Sequence, residues 1–467
     1  MPGTFFGIEI GRSGLNAAQI GQDVTGNNIA NAGTAGYSVQ SVSQVAADQV
    51  LTDDHAAVPK QEALGTGVLI SSIQRARDQF LDTQVRTSTG NQSLQTSLSD
   101  SLKQVDAAFG EPSNTGLNAT IGKFFNSFQD LANNPSNLGV RATTIQQGNA
   151  LASVFQGVQS QLNTLSTTLS QHAATDVQTI NDYSAQIAAL NVTIKENGGA
   201  TQPLNTVLDR RDLVLDKLAA LTNISTQNNP DGTVSVSVGK TPLVLGTDTY
   251  PVTQSSLTSL GDLQSGELAG LTQAQTQVTA YKGQINNLAA SLVSQVNAIQ
   301  STGAGLDGTT GLNFFSATAG NEASTIAVNP TLELHPEQLA VAAVPTPPAS
   351  PIPPASDSTN ATLLAGLQKK TVTDATSPLY NSTILSYYQQ TVSDAGGRAA
   401  GASSAAASAT ASVTQLTQQR DSVTGVSTDS EMINMMKYQR AYQAAARFIS
   451  TSDDMIGTLI NNLMSAN

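Results

Sequence analysis

The 467-residue sequence has no cysteine, no tryptophan and 3 histidines, with only 4% aromatic and 12% charged residues. Without cysteine there is no disulfide, no thiolate zinc site and no thiol nucleophile. His55, His172 and His335 stand far apart, with no second ligand at helical or hairpin spacing, and read as isolated surface histidines. Positive charge is also scarce. A count of 21 Lys and Arg against 34 Asp and Glu leaves a net charge of −13. That excludes the basic footprint of nucleic-acid binding and argues against a polybasic membrane anchor. No stretch reads as a membrane span of about 20 apolar residues. Residues Met1 to Glu9 carry no basic n-region and no apolar core, so no cleaved signal peptide is expected. Cytosolic residence or a different export machine stays open.

What is present in excess is Ser, Thr, Asn, Gln and Ala, the composition of polar helices with small contact residues. The two ends are organised alike. Ile8, Gly11, Leu15, Ala18, Gln22, Thr25, Ile29 and Ala32 follow the 3-4 spacing of a coiled-coil seam, until Gly33 and Gly36 stop it. The apolar members are small or sparse, so such a helix is marginal alone. At the other end Met435, Tyr438, Tyr442, Ala445, Ile449, Ser452, Ile456, Leu459 and Leu463 keep the same alternation without proline, and Asp429 suits a first turn. Two such seams predict that the ends pair with each other or with neighbouring subunits.

Between them lie more helical patterns. Residues 91–109 carry Leu94, Leu98, Leu102, Val105 and Phe109, and Glu111-Pro112 breaks the run. Residues 117–132 carry the stripe Leu117, Ile121, Phe124, Phe125, Phe128 and Leu131. After Asn133-Asn134-Pro135 a helix is predicted from near Ser136 to about Ile194. Helical pattern recurs over Leu204–Leu221 and 261–300. Asp209, Arg210, Arg211 and Asp212 on one turn read as a solvated or interhelical ion pair, not as catalysis. Asp231-Gly232 before Thr-Val-Ser-Val-Ser-Val, with Thr241-Pro-Leu-Val-Leu after it, predicts a β-hairpin near 232–252. Gly303-Ala-Gly305-Leu-Asp-Gly308 matches a dinucleotide fingerprint in letters only, because no βαβ context surrounds it. Six prolines within 345–354 read as a polyproline-like spacer or exposed loop. The Ala/Ser-rich 399–412 reads as a closely packed helix, with a flexible segment as the alternative. Asp53-Asp54 and Asp453-Asp454 are adjacent pairs, not carboxylates converging from different elements. No cofactor, metal or catalytic constellation is expected.

Ser13-Gly14-Leu15-Asn16-Ala17-Ala18-Gln19, Thr25-Gly26-Asn27-Asn28-Ile29-Ala30-Asn31-Ala32 and Gly36-Tyr37 resemble the start of bacterial flagellar rod, hook and hook-associated proteins. Tyr438 to Arg447 and Ile449 to Met455 are similar to the matching end of that superfamily. The interior, through residues 117–165, Leu208 to Val214, the Val-Ser-Val strand and Asn313-Phe314-Phe315-Ser316, resembles the hook-associated protein 1 family. Many members are longer and carry outer β-rich domains after the Phe-Phe-Ser loop; here that region is short.

The resemblance implies a mainly α fold: an elongated helical bundle with discontinuous N- and C-terminal coiled-coil helices, a small β-hairpin, and an outer β domain reduced or absent. The expected division is 1–50 with 425–467 as a terminal core, 51–90 as an extended or β connection, and 91–316 as a helical domain. Then come 317–360 as a Pro-rich outer loop or remnant and 361–424 as returning helices. It further implies a non-enzymatic part in flagellum assembly and motility, at the hook–filament junction. Implied partners are hook protein, a second junction protein, copies of the chain in a ring of about eleven, and an export chaperone. No nucleic acid or membrane partner is expected. Export would follow the flagellar type III route to the outside. Ile8, Leu15, Ile29, Met435, Tyr438, Tyr442, Ala445, Ile449, Ile456, Leu459 and Leu463 are the expected assembly interface, with both termini poorly ordered in an isolated monomer. A hook or rod subunit is the related alternative. A cell-wall hydrolase on a helical stalk is the alternative of another class, and would need an acidic or metal-bearing cleft.

Overall fold

The structure, a computed structural model, describes residues 5–47, 65–197, 204–259, 261–344 and 352–465. His55, Asp53-Asp54, Gly198-Gly199 and the prolines Pro345, Pro347, Pro348 and Pro351 lie outside these residues. In chain order come α1 (Phe6–Ala30), β1 (Gln40–Ala46), β2 (Val68–Arg75), α2 (Gln79–Phe109), α3 (Leu117–Asn133), α4 (Leu138–Asn197) and α5 (Asn205–Leu221). The strands β3 (Ile224–Asn228), β4 (Val234–Val238), β5 (Thr241–Leu245) and β6 (Asp248–Thr249) precede α6 (Gln254–Ser259) and α7 (Glu267–Gln300). Short pieces follow: β7 (Gly303–Ala304), β8 (Phe315–Ser316), α8 (Glu322–Thr325), β9 (Ala327–Val328), α9 (Pro330–Leu334), β10 (Ala342–Ala343) and α10 (Thr359–Gly366). The long α11 (Ile384–Thr424) and α12 (Thr428–Ser465) close the order. The fold is mainly α with small β elements, and the described residues contain no large outer β domain.

Several helix starts are set by side-chain caps. Helix α2 begins at Gln79, not at 91, because the Asp78 carboxylate accepts from the amides of Phe80 (2.9 Å) and Leu81 (3.2 Å). Asn137 does the same for α4, accepting from Gly139 (2.9 Å) and Val140 (3.3 Å). Thr383 and Ser386 cap α11 reciprocally: each hydroxyl accepts from the other residue's amide, at 3.0 and 2.9 Å. The Ala/Ser-rich 399–412 lies inside this helix.

The chain divides into two compact units. The first comprises Met1–Gly90, Gln178–Gln264 and Thr410–Asn467. It holds α1 and α12, the antiparallel β1–β2 pair, α5 and an antiparallel sheet in the order β3-β4-β5-β6. The predicted hairpin is the middle of that sheet. Gly232, at φ +82°, turns the chain before β4, and Val234, Val236 and Val238 are buried on one face. Asn191 of α4 ties the sheet down, donating to Val234 O (2.8 Å) and Gly246 O (2.6 Å).

The second unit comprises Asn91–Val177 and Ser265–Ala409. Its centre is aromatic. Phe124, Phe125 and Phe128 of the α3 stripe meet Phe314 and Phe315, all essentially without solvent exposure. Glu111 caps α3 by accepting from the Asn118 amide at 3.0 Å, a carboxylate at the positive end of the helix. Residues 317–344 fold back as small pieces rather than as a free loop: Ile326, Leu332, Leu339 and Val341 are fully buried. Arg141 holds this region, its buried guanidinium donating to the carbonyls of Leu339 (2.7 Å) and Glu337 (3.2 Å). Gly303–Ala304, in the fingerprint-like loop, pairs with β10, in no nucleotide-binding context.

Candidate assembly site: the terminal helix pair

Helices α1 and α12 pack antiparallel along most of the length of α1. The contact row on α1 is Gly7, Gly11, Gly14, Ala18, Gly21, Thr25 and Asn28, spaced alternately four and three residues apart. Gly7 lies against Ser452, Gly11 against Ile449, Gly14 against Ala445 and Gly21 against the Tyr438 ring. A Cβ added at Gly11 would fall 2.5 Å from Ile449 Cγ1, and one at Gly21 would fall 2.5 Å from the Tyr438 ring. The large side chains of α12 therefore occupy the space that α1 leaves empty. Glycine disfavours a helix interior by about 1 kcal/mol each relative to alanine, so α1 depends on its partner for its helical state.

The row ends in a polar knot. Asn28 is fully buried, and its amide nitrogen donates to Gln40 O and to Glu431 Oε2, each at 2.8 Å. Its Oδ1 accepts from Tyr37 Oη (2.8 Å) and Gln40 N (3.0 Å). All four hydrogen-bonding positions of the amide are satisfied, which fixes where α1 stops and at what height α12 begins. Burial, with Asp209 and Glu431 nearby, pushes the Tyr37 hydroxyl up to about 12, so it stays a donor.

The predicted interface residues divide accordingly. Met435, Tyr438, Ala445 and Ile449 face α1 within the same chain. On α1, Gly11, Ala18 and Thr25 of the expected seam are in the contact row, but Ile8, Leu15 and Ile29 flank it, half-buried. Leu15 instead lines a groove shared with Val68, Leu69 and Ile70 of β2. Ile456 is half-buried, Tyr442 and Leu459 are exposed, and the Leu463 side chain lies outside the described residues. Sequence reasoning missed Gly7, Gly14, Gly21, Asn28 and Glu431. The signal was the glycine spacing itself, together with Asn28 and Tyr37 inside one motif.

With Met435, Tyr438, Ala445 and Ile449 against α1, other apolar side chains around α12 stay exposed. Met432, Ile433, Met436, Tyr442, Met455, Leu459 and Ile460 are exposed, from 37% to 62%, and Phe448 is 47% exposed although its ring edge lies against Gly11. Beyond Ser452, the partner of Gly7, α12 runs past the start of α1 at Phe6.

Beneath the pair, the Asp209–Asp212 turn joins a buried charge network. Arg75 reaches Asp209 (2.8 Å) and Asp212 (2.9 Å), and Arg77 reaches Asp82 (2.9 Å) and Asp212 (3.2 Å). Arg86 and Arg420 both hold Asp216 at 2.7 Å. Asp209 also accepts from the Ser38 hydroxyl at 2.8 Å. These pairs lock β2, α2, α5 and α11 in register, a role in specificity rather than catalysis. Among the described residues no group of three His, Asp or Glu could hold a metal, and no helix is long and apolar enough to cross a membrane. His172 is exposed, and His335 is exposed and bonded to Glu337.

A helix pair knotted within one chain, with apolar side chains left over on the longer partner, defines a structural protein built to assemble. Comparison with known proteins gives its kind. The family profile described as flagellar hook-associated protein FlgK helical domain matches residues 102–315. The profiles for the flagellar basal body rod protein and for the C-terminal region of the flagellar basal body rod FlgEFG proteins match residues 8–37 and 417–463. The chain is 28% identical to flagellar hook-associated protein 1 of Bacillus subtilis, over 99% of both chains. It is 22% identical to the protein of that name from Salmonella typhimurium, over 96% of this chain and 98% of the relative. That alignment runs over 555 positions, more than the 467 residues here, so the Salmonella protein has insertions that this chain lacks. The solved structure of the flagellar hook junction protein FlgK from Burkholderia pseudomallei shares the fold at 16% identity, with a TM-score of 0.64, covering 73% of this chain and 100% of that one. The chain belongs to the flagellar hook-associated protein 1 / axial protein superfamily. It is a non-catalytic structural component of the extracellular flagellum.

Proposed function

We propose that the protein is the subunit that joins hook to filament, and that the exposed apolar side chains of α12 are the surface by which it assembles. The exposed apolar side chains Met432, Ile433, Met436, Met455, Leu459 and Ile460 carry this reading. Each such side chain gains roughly 1.5–3 kcal/mol when a neighbour covers it, so a few suffice to hold a subunit in place. The residues on the α1-facing side, Met435, Tyr438, Ala445 and Ile449, support assembly indirectly by holding the pair together. Ile8, Leu15, Ile29, Tyr442, Ile456, Leu459 and Leu463 remain proposed contacts with neighbours. The neighbours would be copies of the chain in a ring of about eleven, hook protein on the proximal side and a second junction protein on the distal side. An export chaperone would mask the same α12 side chains before passage through the flagellar type III channel, without a cleaved signal peptide.

The mainly α fold separates this reading from a hook subunit, whose centre is expected to be β-rich. Immunolabelling of isolated flagella tests it. A single narrow band at the hook–filament boundary is expected; label along the whole hook would reject it.

A further inference from the structure

The charge network of the first unit is unbalanced. Arg75, Arg77, Arg86, Arg211 and Arg420 set five positive charges against the four carboxylates of Asp82, Asp209, Asp212 and Asp216. The odd guanidinium is Arg211, which is 7% exposed. Its Nη1 donates to Gly232 O (2.8 Å) and Asn191 Oδ1 (3.4 Å), neither of them charged. Among the described residues no carboxylate pairs with it, and its Nε has no hydrogen-bond partner. The Arg77 Nε is likewise unpartnered. Burial lowers the Arg211 pKa; the Asp212 carboxylate opposes that shift, and the neighbouring Arg75 and Arg86 cations add to it. Burial also raises the Asp82 carboxyl above its usual range, which weakens the negative side of the network further.

Arg211 lines a cavity of about 190 Å³ with Arg75, Arg77 and Arg86, and with Asp82 and Asp212, so four guanidiniums face two carboxylates there. Guanidinium forks and short polar side chains around such a volume match the donor pattern that holds tetrahedral oxyanions. The volume leaves room for waters beside the ion, each occupying about 30 Å³. We propose that this cavity binds a compact oxyanion of the phosphate or sulfate class, with Arg211 as its principal partner. The bound ion would complete the charge balance beneath the terminal helix pair.

The test is thermal unfolding of the full chain in millimolar phosphate or sulfate, against chloride and acetate at matched ionic strength. Phosphate and sulfate should raise the first unit's midpoint saturably, by about 5 °C at concentrations well above the dissociation constant. The Arg211→Met variant should lose that rise. A rise that is linear in salt and survives in the variant is the general effect of excluded ions, and overturns the proposal. An equal response to acetate would mean a carboxylate site and overturns the oxyanion assignment. Should Arg211→Met fail to fold, calorimetric titration of the wild type with phosphate decides alone. One saturable site per chain supports the proposal, and no saturable heat contradicts it.

Discussion

Around Phe124 five phenyl rings meet, with centroid separations of 4.7 to 5.7 Å. Between α1 and α12 the contact row on α1 is glycine, alanine and threonine, closed by one buried asparagine. The scarce aromatics are concentrated where a core must be self-sufficient. Each ring buries a large area and fixes its neighbours' geometry. The small-residue seam works the other way: it gains little from its own side chains and takes its shape from the partner's. Such a pair is held by register, through Asn28 and Glu431, more than by burial. One region is a core that folds; the other leaves apolar surface exposed.

Removing the centre of the aromatic core has the largest expected effect. Phe124→Ala should destabilise the second unit by about 3–5 kcal/mol, measured by denaturant unfolding. Amide exchange in α1 and α12 should change far less. Equal acceleration in both regions would erase the distinction between them.

Gly21→Val should come next. Its Cβ collides with Tyr438, so the helices must part, at about 1–3 kcal/mol. Fast exchange confined to α1 and the facing turns of α12 is expected. Adding Tyr438→Ala should recover part of the loss, as a non-additive pair does. Additive losses would place the strain elsewhere.

A smaller effect concerns pH. Burial, helped by Glu267, raises Asp176 to about 7, and its Oδ2 has no hydrogen-bond partner. The folded chain thus keeps a proton that the unfolded chain releases near its ordinary value of 3.8. This contribution to stability is full below that value and falls as pH rises toward 7. Asp176→Asn should flatten the fall and stabilise the second unit at pH 8 by about 1 kcal/mol, discounted because the group is partly exposed. An unchanged pH profile would show that Asp176 stays ionised.

The aromatic core was largely legible in the sequence because its stripe is written in large apolar residues: Leu117, Ile121, Phe124, Phe125, Phe128 and Leu131 all point inward. The terminal seam was half legible. Gly11, Ala18 and Thr25 fell in the expected row, but Ile8, Leu15 and Ile29 drew attention for their hydrophobicity, where the contact needs side chains to be absent. Strand β3 has one apolar residue, Ile224, and is a strand because β4 pairs with it, so no alternation announced it. The start of α2 was written in Asp78, a cap that apolar periodicity does not register. The charge network was legible only within the Asp209–Asp212 turn, since Arg75, Arg77, Arg86 and Arg420 come from distant parts of the chain.

The proposal that exposed apolar side chains of α12 serve assembly, while others hold α1, is tested most directly by Leu459→Asp beside Ile449→Asp. Leu459 is 55% exposed, whereas Ile449 packs on Gly11. Both variants, with the exposed Lys437→Ser as control, would be expressed in a strain lacking the gene and scored for filaments and for unpolymerised filament protein in the medium. Leu459→Asp should unfold at the wild-type temperature, keep normal exchange in α1, and yet support no filaments. Ile449→Asp should also fail, but with fast exchange in α1. Lys437→Ser should assemble normally. Normal filaments from Leu459→Asp would contradict the assignment of the exposed α12 side chains to assembly.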